Sequence, residues 1–247
     1  IVSRSWADLT VTAIVSAGVT GNAGSAGDPA HYDERNGAWE RIAPTSIPNT
    51  NFLTPNAKLP DAKAPRAASA SELSQGEASR AAAKPPGTHS GTINTILLFS
   101  APLNATALTR AAMTMTEAKT SALLELAVGS KSSWRLATGT GTDQFAIASP
   151  REGASPRTWT GKHTKAGELV GLAVRDATLE ALRWQNGLEP SLTRSLFHAL
   201  GRFGLSEEAF KQTQQSLLPP AAYQLLKDNW NPVVFEPQLA AAAYAFG

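Results

Sequence analysis

Between residues 9 and 19 the chain alternates. Leu9, Val11, Ala13 and Val15 interleave with Thr10, Thr12, Ile14 and Ser16. A period of two predicts a strand buried on at least one face, here ending at Gly18. The continuous apolar run Ile96-Leu97-Leu98-Phe99, inside 91–100, predicts a second strand, central and covered on both faces. After Pro102 the period lengthens. Leu108, Ala111, Ala112, Met115, Ala118, Ala122, Leu123 and Leu126 recur at three- and four-residue spacing, which predicts a helix over about 105–127 capped by Asn104 or Thr106. Two strand-like runs follow, 133–136 and 145–148. A second stripe, Ala166, Leu169, Val170, Ala173, Val174, Ala177, Ala181 and Trp184, predicts a helix over about 165–185 that stops near Asn186-Gly187. Beyond it 191–202, a piece opened by Ser206-Glu207-Glu208, 221–229 and the Ala-rich 236–246 all read as helix, the last packing on the core or on a partner.

The expected fold is α/β, a single mixed-sheet domain with flanking helices. It comprises 1–39 plus 88–187, with a helical C-terminal extension at 188–247. Between its halves the pattern fails. Seven of the sixteen prolines fall between Pro44 and Pro86, in a stretch of Ala, Ser, Lys and Glu without period. That composition predicts a disordered-type insert or linker over 40–87, with room for a short helix within 71–83. The opening Ile1-Val2-Ser3-Arg4-Ser5-Trp6 reads as the start of a fragment or of a cleaved chain.

Composition narrows the chemistry. With no cysteine, thiol catalysis, disulfides and cysteine-ligated metals are excluded, and a cytoplasmic location is the expectation. The 22 basic and 20 acidic residues form no basic stripe, so nucleic acid is not an expected partner. No apolar run is long enough to span a membrane.

The richest candidate chemistry lies in Ala137-Thr138-Gly139-Thr140-Gly141-Thr142-Asp143, small and hydroxyl residues between two strand-like runs. Glycine permits close backbone approach, and threonine both donates and accepts. Asn22, in the small-residue loop 21–29, is a second polar hook. On the first helix, Glu117 and Lys119 stand about 200° apart and cannot both point at one site. His163 precedes a helix N-terminus, where the dipole favours a neutral imidazole. Neither a Gly-x-Ser-x-Gly elbow nor a His-Glu-x-x-His helix occurs.

In order along the chain stand Thr12 to Asn22, then Gly91-Thr92-Ile93-Asn94, Thr116-Glu117-Ala118-Lys119-Thr120, residues 137–143, and Gly161-Lys162-His163-Thr164-Lys165-Ala166-Gly167-Glu168-Leu169. This succession resembles the adenosylcobinamide amidohydrolase family over about 8–30 and 88–187. The long insert and the lack of a segment ahead of the first strand depart from that family's pattern. The resemblance implies hydrolysis of the amide between the aminopropanol arm and the corrin side chain of adenosylcobinamide, giving adenosylcobyric acid for cobalamin salvage. It implies a corrinoid, whose own cobalt belongs to the substrate, bound by its periphery. No protein-bound metal or further cofactor is expected. A homo-oligomer or a complementing N-terminal fragment is the expected association.

Amide hydrolysis needs an activated nucleophile, an oxyanion stabiliser and a proton donor for the leaving amine. Without cysteine the nucleophile is water or a Ser/Thr hydroxyl. Asp143, Glu117 and His163 are the candidate bases. Lys119 and the amides of Gly139 and Gly141 are the candidate oxyanion donors. Asn94, Thr138, Thr140, Thr142, Gly139, Gly141 and Asn22 are the candidate substrate contacts. The alternative is a non-catalytic module whose Gly/Thr loop holds a corrinoid or a nucleotide. A phosphate there would meet repulsion from Asp143 unless a metal intervened.

Overall fold

The computed structural model describes residues 1–42, 91–153 and 155–246. The expected insert lies outside the described residues except at 40–42, and the short helix within 71–83 lies wholly outside them. In chain order the strands are β1 (Val2–Trp6), β2 (Leu9–Ala17), β3 (Ala23–Gly24), β4 (Tyr32–Arg35), β5 (Ala38–Arg41), β6 (Ile93–Phe99), β7 (Gly139–Thr140) and β8 (Gln144–Ala148). The long helices are α1 (Ala105–Glu125) and α2 (Lys165–Asn186). They are followed by the shorter α3 (Pro190–Thr193), α4 (Leu196–Leu200), α5 (Glu207–Leu217), α6 (Pro220–Asp228), α7 (Trp230–Val234) and α8 (Pro237–Phe246). By contact the chain divides into two units, Ile1–Asp28 with Pro86–Gly247, and Pro29–Pro85.

In the smaller unit β4 and β5 form an antiparallel hairpin. Its two-residue turn is Asn36-Gly37, both at positive φ (53° and 75°). That backbone matches the twist of paired strands and suits Asn-Gly.

The larger unit is built on a mixed sheet ordered β1-β2-β6-β8. The β1–β2 and β2–β6 pairs are antiparallel, and β6 and β8 are parallel, joined by the crossover through α1. Both long helices cover the same face. On it Leu9, Val11 and Ala13 of β2 and Leu97 and Phe99 of β6 pack with Ala107, Ala111, Met115 and Ala118 of α1 and with Leu169, Val170, Ala173, Val174 and Ala177 of α2. Each fully buried Leu or Val there contributes about 1.5–3 kcal/mol relative to exposure. Small residues bring the helix starts close. A Cβ on Gly167 would stand 2.1 Å from the Gly161 carbonyl oxygen.

Several expectations need correction. Strand β6 is central, but among the described residues only one of its faces is covered. Ile93, Thr95, Leu97 and Phe99 are buried, whereas Asn94, Ile96 and Leu98 look out from the uncovered face. A continuous apolar run does not by itself distinguish one covered face from two. Residues 133–136 form no strand beyond a single bridge from Leu136 to Gly129. Trp184 is exposed (77%), and the helix buries Leu182 in its place. The expected helix over 191–202 is broken into α3, α4 and a 3₁₀ turn at Gly201–Phe203, because Ser195 caps a new start by accepting from the His198 amide. Strand β1 shows no hydrophobic alternation. Its inward Arg4 meets Asp176 of α2 at 2.5 Å instead of an apolar neighbour.

Helix limits follow the caps. Asn104 accepts from the Ala107 amide to start α1, Thr164 accepts from the Gly167 amide to start α2, and Gly187 at φ 64° ends α2. The C-terminal helices pack within the larger unit. Leu196, Ala199 and Ala243 share a small core, Phe197 and Trp230 stack, and the His198 ring meets the Leu126 carbonyl at 2.7 Å. No described helix is long and apolar enough to cross a membrane.

Candidate active site

The loops that enter the sheet at the starts of β6 and β8 meet at Asp143, the residue immediately before β8. Its Oδ1 accepts from the Ile93 amide (3.0 Å) and the Thr140 hydroxyl (2.6 Å). Its Oδ2 accepts from the Thr140 amide (3.0 Å) and from the Lys119 ammonium of α1. Four donors therefore fill the carboxylate, and its side chain is 18% exposed against 14% for Lys119. The two partners differ. Asp143 has no acceptor capacity left, while Lys119 has one acceptor among the described residues for its three N–H donors. Gly139 is required here, since a Cβ would sit 2.4 Å from Asp143 Oδ2 and 2.7 Å from Lys119 Nζ.

The rest of the loop is held by its own polar groups. Asn22 donates to the Gly91 carbonyl (3.1 Å) and to Thr142 Oγ1 (3.2 Å), and its carbonyl accepts from the Gly141 amide (3.3 Å). Thr138 Oγ1 accepts from the Ala26 amide, and its carbonyl accepts from the Thr120 hydroxyl of α1, both at 2.9 Å. Strand β7 pairs with β3, fixing Gly139 opposite Gly24.

Beside the ion pair a cleft of about 170 Å³ opens between α1 and the sheet, lined by Ile93, Thr95, Met115, Thr116, Lys119, Asp143, Gln144 and Phe145. Phe145 is 57% exposed and stands at its mouth. A larger cavity, about 640 Å³, lies against the C-terminal helices among Glu125, Asp176, Arg183, Glu189 and Tyr244. Its charges are largely neutralised in pairs such as Arg183–Glu189, so its size does not make it the reactive site.

Of the sequence candidates, the structure brings Asp143, Lys119, Asn22, Thr138, Gly139, Thr140, Gly141 and Thr142 into one connected cluster. Three stand apart. Glu117 pairs with Lys162 (3.0 Å) on the other flank of α1. His163 is exposed and has no hydrogen-bond partner among the described residues. Asn94 points from the uncovered face of the sheet, away from the helices. Thr95, Met115, Gln144 and Phe145 line the cleft without having been singled out. For Thr95 a signal existed, a polar side chain in the inward register Ile93, Thr95, Leu97, Phe99.

A second polar cluster also escaped the sequence reading. Asp28 accepts from the Ser25 amide (2.7 Å) and from the hydroxyls of Ser130 (2.5 Å) and Ser133 (2.6 Å). Burial opposes its charge. Those hydroxyls, the amide and the Arg135 guanidinium outweigh it, and the carboxyl is held below its ordinary value. Among the described residues no three His, Asp or Glu side chains gather to hold a metal ion.

The family model for adenosylcobinamide amidohydrolase (CbiZ) matches residues 1–190. The chain belongs to the adenosylcobinamide amidohydrolase family. The Lys119–Asp143 cleft lies inside the matched region, and α4 to α8 lie beyond it. A protein of Methanocaldococcus jannaschii, described as uncharacterized protein MJ1613, is 41% identical over 105 residues. That stretch covers 42% of this chain and 40% of the relative, so the chain spans well under half the length of that relative. No solved structure matches.

Proposed function

We propose that this protein hydrolyses the amide that joins the aminopropanol arm to the corrin side chain of adenosylcobinamide. The products are adenosylcobyric acid and the free amino alcohol, a step of cobalamin salvage in the cytoplasm. Water adds its oxygen to the carbonyl carbon, the C–N bond breaks, and the leaving nitrogen gains a proton. Beyond family membership, the observation that carries this reading is the unequal ion pair. A saturated carboxylate holds an ammonium that still has donors to give. Such a site suits the oxygen of a polarised carbonyl and the oxyanion it becomes. In these roles Lys119 touches the scissile carbonyl and Asp143 positions Lys119.

The size of the cleft supports end-on entry. About 170 Å³ accommodates an amide and its short arm but is below the 300–1,000 Å³ typical of pockets that enclose a drug-sized ligand. The macrocycle, with its cobalt, then stays outside against the rim near Phe145. Incubating the full chain with adenosylcobinamide and separating the products by chromatography tests the proposal. Adenosylcobyric acid is expected from the wild type and at most a trace from Lys119→Met. Absence of product from the wild type sinks it.

A further inference from the structure

Thr95 is 3% exposed, and its side chain faces the helix-covered side of the sheet. Its register partners are Val15 on β2 and Phe145 on β8, which offer it no hydrogen bond. No described residue donates to or accepts from its hydroxyl, yet the residue lines the Lys119 cleft. The neighbouring inward positions of β6 hold Ile93, Leu97 and Phe99. Valine would have the same shape as threonine at this place without a polar atom to bury. The hydroxyl is not one of the described side-chain atoms sealed from solvent without a partner; it opens onto the cleft and is free to bond there. A hydroxyl open to the Lys119 cleft and without a partner among the described residues is placed to bond a group that arrives with the substrate.

We propose that the Thr95 hydroxyl is a catalytic group, donating a hydrogen bond to the oxygen of the scissile carbonyl alongside the Lys119 ammonium. This deepens the amidohydrolase reading and rests on it. The two donors would share the charge that develops on that oxygen as water adds. The nucleophile remains water. With Asp143 filled by four donors, the cleft lining holds no free carboxylate or imidazole to take a proton from Thr95. Removing one oxyanion donor lowers kcat by about 10²–10³-fold in enzymes where it has been isolated.

The test compares wild type, Thr95→Val and Thr95→Ser as full chains, in thermal melts and in steady-state hydrolysis of adenosylcobinamide. Thr95→Val should melt at or above the wild-type temperature and lose about 10²-fold in kcat, with KM within a few-fold, because the lost interaction belongs to the transition state. Thr95→Ser should recover most of that loss. A wild-type-like kcat in Thr95→Val overturns the role of Thr95 alone. So does a fall in melting temperature in Thr95→Val, or a covalent acyl adduct on Thr95 in a quenched reaction. An inactive wild type overturns the hydrolase reading and this role together.

Discussion

Asp143 and Lys119 make one ion pair, but the two halves are not equivalent, and their removal should cost different amounts. In Asp143→Asn an NH₂ group replaces one carboxylate oxygen. At Oδ1 it would face the Ile93 amide and the Thr140 hydroxyl, and at Oδ2 the Thr140 amide and the Lys119 ammonium. Either way a donor opposes a backbone donor, and Lys119, 14% exposed, loses its counter-charge. Breaking a buried pair on one side costs about 3–5 kcal/mol, and the residual exposure here argues for about 3. In Lys119→Met the stem still packs and Asp143 keeps three donors, so the expected loss is about 1 kcal/mol. The gap of about 2 kcal/mol corresponds to roughly 4–8 °C in melting temperature for a chain of this size. Urea or thermal denaturation of both variants measures it, while both should lose hydrolysis. If Lys119→Met is as destabilising as Asp143→Asn, the carboxylate is not the anchor of the loop, and the division into positioning and reacting partners is wrong.

Two further outcomes follow from the packing and the charges. Gly139→Ala should force Asp143 and Lys119 apart, lowering stability by about 1–3 kcal/mol and abolishing turnover, whereas Gly141→Ala meets only the Asn22 side chain at 3.1 Å and should be milder; equal melting temperatures and rates for the two variants would contradict the close approach at Gly139. Asp28 has a folded pKa below its ordinary 3.8, so its contribution to stability is complete above that value and is lost as pH falls through the lower folded one. The stability difference between wild type and Asp28→Asn should therefore be present at pH 7 and shrink below about pH 4, and a pH-independent difference in urea titrations would remove the clasp on Ser130 and Ser133 from the account.

The sequence made the two long helices legible because their stripes run for six turns and both carry side-chain caps. The same pattern hid what depended on pairing. Strand β1 leaves only Val2 and Arg4 half-buried, and Arg4 becomes intelligible only when Asp176 of α2 is opposite it. The Asn36-Gly37 turn carried a hairpin signal in two residues, but the flanking strands are too polar to show a buried face. At the site, the spacing of charges on α1 correctly separated Glu117 from Lys119. It could not tell which one faces the Gly/Thr loop, since that depends on how α1 is rotated over the sheet. Asn94 enters the site candidates through the Gly91-Thr92-Ile93-Asn94 motif and its amide. Strand alternation sends it to the opposite face.

The composition of residues 137–143 suggested a loop that wraps a ligand, and the geometry gives it a different job. Its donors are spent internally. The Thr138 amide goes to the Gly24 carbonyl, the Thr140 amide and hydroxyl to Asp143, the Gly141 amide to the Asn22 carbonyl, and the Thr142 hydroxyl to the Gly91 carbonyl. A phosphate cradle needs such groups free and converging on an anion. Here the two donors of Thr140 turn to a carboxylate of the protein itself, and the others to backbone carbonyls. The loop is thus occupied by its own anion, and what it delivers outward is a fixed cation, Lys119. That arrangement explains why glycine is needed at 139, where loop, carboxylate and ammonium touch. It also favours amide chemistry over nucleotide binding, because a single ammonium in a cleft of about 170 Å³ matches one carbonyl oxygen better than a chain of phosphates.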